Sequence, residues 1–184
     1  MKVSGPALAL LEIESIARGM VVADALVKRA PVELALAEPV SPGKYLLLFS
    51  GGVAETEEAF KAGIEAAGST LLDRLFLSRP APRLLEALKD KFDETWGDSF
   101  AIVETHSAAS TLLAADSALK RAEVWVRRLH LARGIGGKGY FVLTGSLDMI
   151  EAAIEAAAAS IEPQLLVAAE VIQRPHRDIK GWGL

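Results

Sequence analysis

Residues Glu12–Val32 read EIESIARGMVVADALVKRAPV, and residues Glu104–Val124 read ETHSAASTLLAADSALKRAEV. At a fixed offset of 92, nine of the 21 positions are identical. They include Glu12/Glu104, Ser15/Ser107, Asp24/Asp116, Lys28/Lys120, Arg29/Arg121 and Val32/Val124. Shared alanine would give scattered matches, but not the string D-x-x-x-K-R-A-x-V in register. The agreement continues downstream. Gly43-Lys44 returns as Gly137-Lys138 at offset 94, Ser50-Gly51 as Thr144-Gly145, and Arg79-Pro80 as Arg174-Pro175 at offset 95. The drift places a two-residue insertion in the second copy between Val124 and Gly137. The chain is a tandem duplication, so reading one copy reads both.

In the first copy, Ala7–Glu14 is apolar enough for a buried strand. Ser15 is placed to cap a helix that runs to about Ala30. Ile16, Met20, Ala23, Val27 and Ala30 recur at helical spacing and are expected to form its inward face. Val32–Ala37 reads as a second strand. Two prolines and a glycine in Glu38–Gly43 then enforce a loop. Tyr45–Phe49 is an uninterrupted apolar run, the mark of a strand buried on both faces. Gly51-Gly52 turns into a second helix, Val53–Ala67. Its early acids, Glu55, Glu57 and Glu58, suit a helix N-terminus, and Gly68 ends it. Leu71–Leu77 is a fourth strand. The order β-α-β-β-α-β is the ferredoxin-like, split-βαβ arrangement. It implies right-handed crossovers and an antiparallel four-stranded sheet with both helices on one face. Arg83–Phe92 is expected to be a short amphipathic helix and Asp90–Asp98 a polar linker. The second copy repeats the pattern, with strands at 100–105, 124–132, 139–144 and 165–172 and helices at 107–122 and 147–161. A polar tail, residues 175–184, ends the chain. The fold class is α+β, with domains expected at 1–94 (carrying the short helix) and 95–184 (carrying the tail).

Composition narrows the function. With 184 residues, each copy can hold its own core. Hydrophobic residues make up 51% of the chain, and the mean hydropathy is +0.29. No run is long and charge-free enough for a transmembrane helix, and the N-terminus makes a poor signal peptide. An apolar, soluble chain buries its excess between subunits, so an oligomer is expected. A net charge of −4 gives no field for nucleic acid. The absence of cysteine removes disulfides and thiolate metal sites.

Sites of chemistry are scarce. Gly134–Gly139 matches G-x-G-x-x-G, but it lies between two strands, whereas a dinucleotide turn must open a helix. The histidines His106, His130 and His176 have no ligand spacing. Glu12 and Glu104 recur and could in principle do acid–base work; a structural role at the junction between the copies is the simpler expectation. Lys28 and Lys120 end equivalent helices, where a cation is favoured. Arg79 and Arg174 each precede a proline at the end of the last strand. The loops before Lys44 and Lys138 lie between the same two strands in each copy, and their small residues would let backbones approach at a symmetry axis.

These strings resemble a known family. LEIESIARGMVVADALVKRAPV, VSPGKYLLLFSGGV, VETHSAASTLLAADSALKRAEV, GIGGKGYFVLTG and VIQRPH together resemble the tandem-domain shell proteins of bacterial microcompartments, in unpermuted order. The resemblance is greatest to the single-layer trimeric type of propanediol-utilisation-like shells. It covers about residues 7–80 and 99–176.

The resemblance implies a non-enzymatic shell component in the cytoplasm, built of two BMC domains. Three chains would form a pseudohexameric disc around a central pore for small polar metabolites. The pore would be lined by Val40, Ser41 and Pro42 from the first copy and Gly134, Ile135 and Gly136 from the second. Lys28, Lys120, Arg79 and Arg174 would serve lateral contacts. Implied partners are neighbouring hexameric, trimeric and pentameric shell proteins, with encapsulated enzymes as further candidates, and neither nucleic acid nor membrane. Some relatives carry a cysteine directly before the Pro-Gly-Lys of the first loop, where three of them hold an iron–sulfur cluster. Here that residue is Ser41, a poor ligand for soft iron–sulfur chemistry, so no cofactor is expected. The alternative is a trimeric ferredoxin-like ligand-binding regulator, with Arg133 and Lys138 of the Gly134–Gly139 loop as its one phosphate cradle. An enzyme using Glu12 and Glu104 is a third reading, resting on recurrence alone.

Overall fold

A computed structural model describes residues 1–92 and 96–180. The first copy runs β1 (Ala7–Ile13), α1 (Ile16–Arg29), β2 (Glu33–Val40), β3 (Lys44–Gly51), α2 (Val53–Ala67) and β4 (Leu71–Leu77). A short helix, α3 (Pro82–Leu88), follows. The second copy runs β5 (Ser99–Thr105), α4 (Ala108–Arg121), β6 (Trp125–Leu131), β7 (Gly139–Gly145), α5 (Leu147–Ala159) and β8 (Leu166–Gln173), with a terminal turn α6 (Arg177–Lys180). The sheets are ordered β2-β3-β1-β4 and β6-β7-β5-β8, and every pairing is antiparallel. This is the split-βαβ fold twice. Even the irregularities recur: register shifts at Glu12/Ile13 and Glu104/Thr105, and at Leu34/Leu36 and Val126/Arg128. Such bulges bend a strand locally.

Local chemistry sets the helix starts. Ser15 Oγ accepts the Arg18 N–H at 3.2 Å and Ser107 Oγ the Ser110 N–H at 3.0 Å, each satisfying one orphan donor of the first turn. In the first copy Ala9, Leu11 and Ile13 of β1 and Tyr45, Leu47 and Phe49 of β3 form one sheet face. Val22 and Leu26 of α1 and Ala59 and Ala67 of α2 pack on it. Both helices thus lie on the same side. The alternate residues Leu8, Leu10, Leu46 and Leu48 are fully buried as well, which is why β1 and β3 read as continuous apolar runs rather than alternating ones.

The loop expected at Glu38–Gly43 shrinks to residues 41–43, because β2 runs on through Pro39 to Val40 and pairs with Tyr45 and Lys44. Three further expectations need correction. First, α1 turns Gly19, Val22 and Leu26 inward; of the expected face Ala23 and Ala30 pack against the core, whereas Ile16, Met20 and Val27 are 38%, 57% and 39% exposed. The helix is apolar on two sides, so periodicity alone fits either stripe. The steric requirement decides, because Gly19 is where Tyr45 approaches the helix. A Cβ there would overlap Tyr45 Cβ and Cγ. Gly19→Ala should therefore destabilise the protein by about 2 kcal/mol, against a gain of about 1 kcal/mol in an open helix interior. Urea denaturation decides the sign. An unchanged or higher midpoint would mean that Tyr45 yields freely.

Second, the short helix α3 is expected in the first domain. It belongs to the second compact unit, which comprises Ala81–Leu131 and residues 138 onward; the first comprises Met1–Pro80 and Ala132–Gly137. Leu84 and Leu88 are fully buried, and Arg83 ties the helix down through Nη1 to the Val124 carbonyl at 2.9 Å and over the Trp125 ring. The expected 94/95 boundary lies outside the described residues. Third, Trp96 is not plain linker: its ring packs 5.3 Å from Phe100 and carries the Arg127 guanidinium at 4.1 Å. The end of the tail, 181–184, lies outside the described residues.

Candidate functional site

The first loop leaves β2 at Val40, which is buried. Ser41, Pro42 and Gly43 are exposed, the Ser41–Pro42 peptide is cis, and the Gly43 N–H donates to the Val40 carbonyl at 2.9 Å. The second loop leaves β6 through Ala132. It turns on Gly134, Gly136 and Gly137 with φ of 70°, 70° and 81°, a backbone region that costs other residues about 1–2 kcal/mol. Ile135 stands 37% exposed at its tip.

Residues 132–137 come from the second copy in sequence, yet they belong to the first compact unit. Arg133 Nε and Glu38 Oε1 form an ion pair. A Cβ on Gly137 would stand 2.9 Å from the Ser41 carbonyl oxygen and 3.2 Å from Pro42 Cδ. The equivalent loops of the two copies are therefore neighbours.

Behind each loop sits the same ion pair. Lys44 Nζ reaches Glu12 Oε2 at 3.2 Å, and Lys138 Nζ reaches Glu104 Oε1 at 2.9 Å. The register explains the match: Glu12 faces Leu46 and Glu104 faces Tyr140, so each lysine is the diagonal neighbour on the same face. The pairs differ in burial. Glu12 is fully buried and its lysine 21% exposed, while Glu104 and Lys138 are 34% and 41% exposed. The two glutamates are thus held within their own sheets. Each carboxylate is already paired with a lysine of its own copy. The two cations proposed for a phosphate cradle, Arg133 and Lys138, are likewise each engaged by a carboxylate.

The expected edge residues sit at the ends of elements. Lys28 pairs with Asp24 at 2.6 Å and Lys120 with Asp116 at 2.5 Å, each one helical turn apart. Asp116 is buried and also accepts the Ala81 N–H through Oδ1 at 2.6 Å; Asp24 is exposed. Arg79 and Arg174 are exposed while Pro80 and Pro175 after them are buried, and the Arg174 N–H donates to the Asp98 carbonyl at 2.8 Å. Arg29, the residue after Lys28, lines an open depression with Glu58, Lys61, Ala62 and Glu65. The Arg29 guanidinium, 2.7 Å away, holds the Glu58 carboxyl below its ordinary range, helped by Lys61. A carboxylate with a lowered folded pKa stabilises the fold at neutral pH and loses that contribution only in acid, as pH falls through the lowered value. The aspartate partners of the lysines were missed from sequence, although the i, i+4 spacing signalled them. The Glu38–Arg133 pair, 95 residues apart, left no sequence signal.

The BMC domain family model matches residues 7–80 and 99–175, the two ferredoxin-like copies just described. The chain belongs to the BMC-domain family, carries two such domains in tandem, and is of the bacterial-microcompartment shell protein class. It is 38% identical over 174 residues to the bacterial microcompartment shell protein PduT of Citrobacter freundii, covering 94% of this chain and 95% of that one. A crystal structure of a microcompartments protein from Desulfitobacterium hafniense is 36% identical and superposes with a TM-score of 0.86, covering 97% of this chain and 99% of that one. A fused permuted hexameric shell protein from the RMM microcompartment, at 20% identity and a TM-score of 0.62 over 84% and 83% of the two chains, shares the fold. Among the described residues no helix is long and apolar enough to cross a membrane.

Proposed function

We propose that the chain is a non-catalytic shell tile. Three copies close into a pseudohexameric disc whose central opening is lined alternately by the Ser41 loop and the Ile135 loop. The observation that supports this most is the adjacency of those loops, tied by Arg133 and Glu38. Related loops that adjoin within one chain are arranged as successive members of a ring must be. The rim offers Ser41 hydroxyls, backbone polar groups and Ile135, a lining suited to small polar metabolites rather than to one charged class. An iron–sulfur cluster does not fit this rim. Ser41 supplies a hard oxygen donor, and the chain has no cysteine. Lys28, Lys120, Arg79 and Arg174 then face neighbouring tiles, which are hexameric, trimeric or pentameric shell proteins.

The lack of native cysteine makes a clean test. Ser41→Cys, treated with a short bismaleimide, should give covalently linked dimers within the trimer, and Ile135→Cys should do the same. If neither variant crosslinks while the native mass remains trimeric, the loops do not meet at the axis.

A further inference from the structure

The two loops share one electrostatic pattern. Residues 38–44 and 132–138 contain four charged side chains, Glu38, Lys44, Arg133 and Lys138. Each is met by an opposite charge at close range: Glu38 by Arg133, Lys44 by Glu12, and Lys138 by Glu104. With those partners counted, the loops carry no net charge. Around a common axis, symmetry would multiply an unpaired charge into a field that draws one sign of ion and repels the other. The pairing leaves no such field.

Side chains are as sparse as charge. Within residues 134–137 Ile135 is the sole side chain, because the other three positions are glycine. Gly134 and Gly136 flank it, and a Cβ on either would meet nothing within 4 Å. Ile135 alone therefore sets how far this loop reaches, and it is 37% exposed. A lone exposed isoleucine is ordinary on a protein surface, but the same residue repeated around an axis makes an apolar ring. The first loop contributes the opposite chemistry. Ser41 is exposed and brings a hydroxyl, and its carbonyl oxygen would stand 2.9 Å from a Cβ on Gly137, so the hydroxyl-bearing loop and the isoleucine-bearing loop are in contact.

We propose that the opening admits small uncharged molecules with one polar and one apolar side, of the alcohol and aldehyde class, and turns back ions of both signs, with Ile135 as the residue that sets this preference. The inference deepens the pore reading and rests on it. An ion at an apolar ring must shed water, and the charged groups of the rim are already engaged with one another. Desolvating a charge costs far more than desolvating a hydroxyl, and apolar constrictions exclude ions by dewetting. A short alcohol or aldehyde gives up one or two hydrogen bonds to water, which the Ser41 hydroxyl can replace, while its alkyl end lies against Ile135.

Discs deposited across a perforated support between two chambers test this, with radiolabelled ethanol, acetate and ethylammonium as probes of similar size. Ile135→Trp fills the ring and gives the seal leak. Above that leak, unmodified discs should pass ethanol at least about tenfold faster than either ion. Ile135→Gly should raise both ion fluxes and bring the three rates close together. Ile135 lies at an exposed turn, so native mass should give the same trimer for all three proteins. Unmodified discs that pass the three probes alike, or that favour one ion, would overturn the proposal and leave the pore reading standing. Unmodified discs that match Ile135→Trp for every probe, while Ile135→Gly passes them, would overturn the admission of uncharged molecules. Identical fluxes from all three proteins would remove Ile135 from the opening and overturn the pore reading itself.

Discussion

Lys44→Met should lower stability by about 3 kcal/mol, and Lys138→Met by less than about 1 kcal/mol. The two lysines occupy equivalent positions and make equivalent bonds, so their difference isolates burial. Glu12 is fully enclosed, with Lys44 as its ion-pair partner. Without the cation, a carboxylate remains where water cannot solvate it. Glu104 is one-third exposed, so water replaces its lysine at little cost. Urea denaturation at neutral pH and one fixed protein concentration gives both values, because the stability of an oligomer depends on concentration. Glu12→Gln with Lys44→Met should recover much of the loss, since a neutral amide needs no counter-charge. Equal losses for the two lysines would mean that the Glu12 site admits water. The pair lies at the start of β3, directly after the Ser41 loop.

The double variant Lys28→Ala with Lys120→Ala should keep the trimer but lose lateral assembly. Within one chain these lysines hold little. Lys28 is 72% exposed and its Asp24 partner 59%, and an exposed i, i+4 pair contributes about 0.3–0.5 kcal/mol. Lys120 rests on a buried aspartate, so its removal costs somewhat more, but Ala81 still holds Asp116 in place. At an edge the same cations can donate to backbone carbonyls of the neighbouring tile, as charge-assisted bonds of about twice the neutral strength. Each tile would present them at every edge, so small losses multiply across a sheet. Each single variant should assemble poorly and the double not at all, by electron microscopy, with native mass unchanged. Normal sheets from the double variant would remove these lysines from the lateral contact.

The duplication made most of the fold legible. Ser15 and Ser107 were readable as caps, and the apolar runs of β1 and β3 as doubly buried strands, because those signals are local. The inward face of α1 was not, since Ile16, Met20 and Val27 are as apolar as Val22 and Leu26. Only the approach of Tyr45 to Gly19 decides between the stripes, and that contact is tertiary. For the same reason Glu12 and Glu104 looked like spare carboxylates, because their lysines stand more than 30 residues away and meet them only through strand register. The placement of α3 failed on topology. Sequence order put it after the first copy, while Leu84, Leu88 and Arg83 bind it to the second. Lys28, Lys120, Arg79 and Arg174 were legible as repeated positions, and the i, i+4 spacing marked Asp24 and Asp116 beside the two lysines, but the buried state of Asp116 was not legible.

The most direct test of the central proposal is electron microscopy of the unmodified protein near physiological salt. The account predicts flat six-lobed discs with a central opening, joined edge to edge into sheets. A compact particle without an opening that never associates laterally would contradict it.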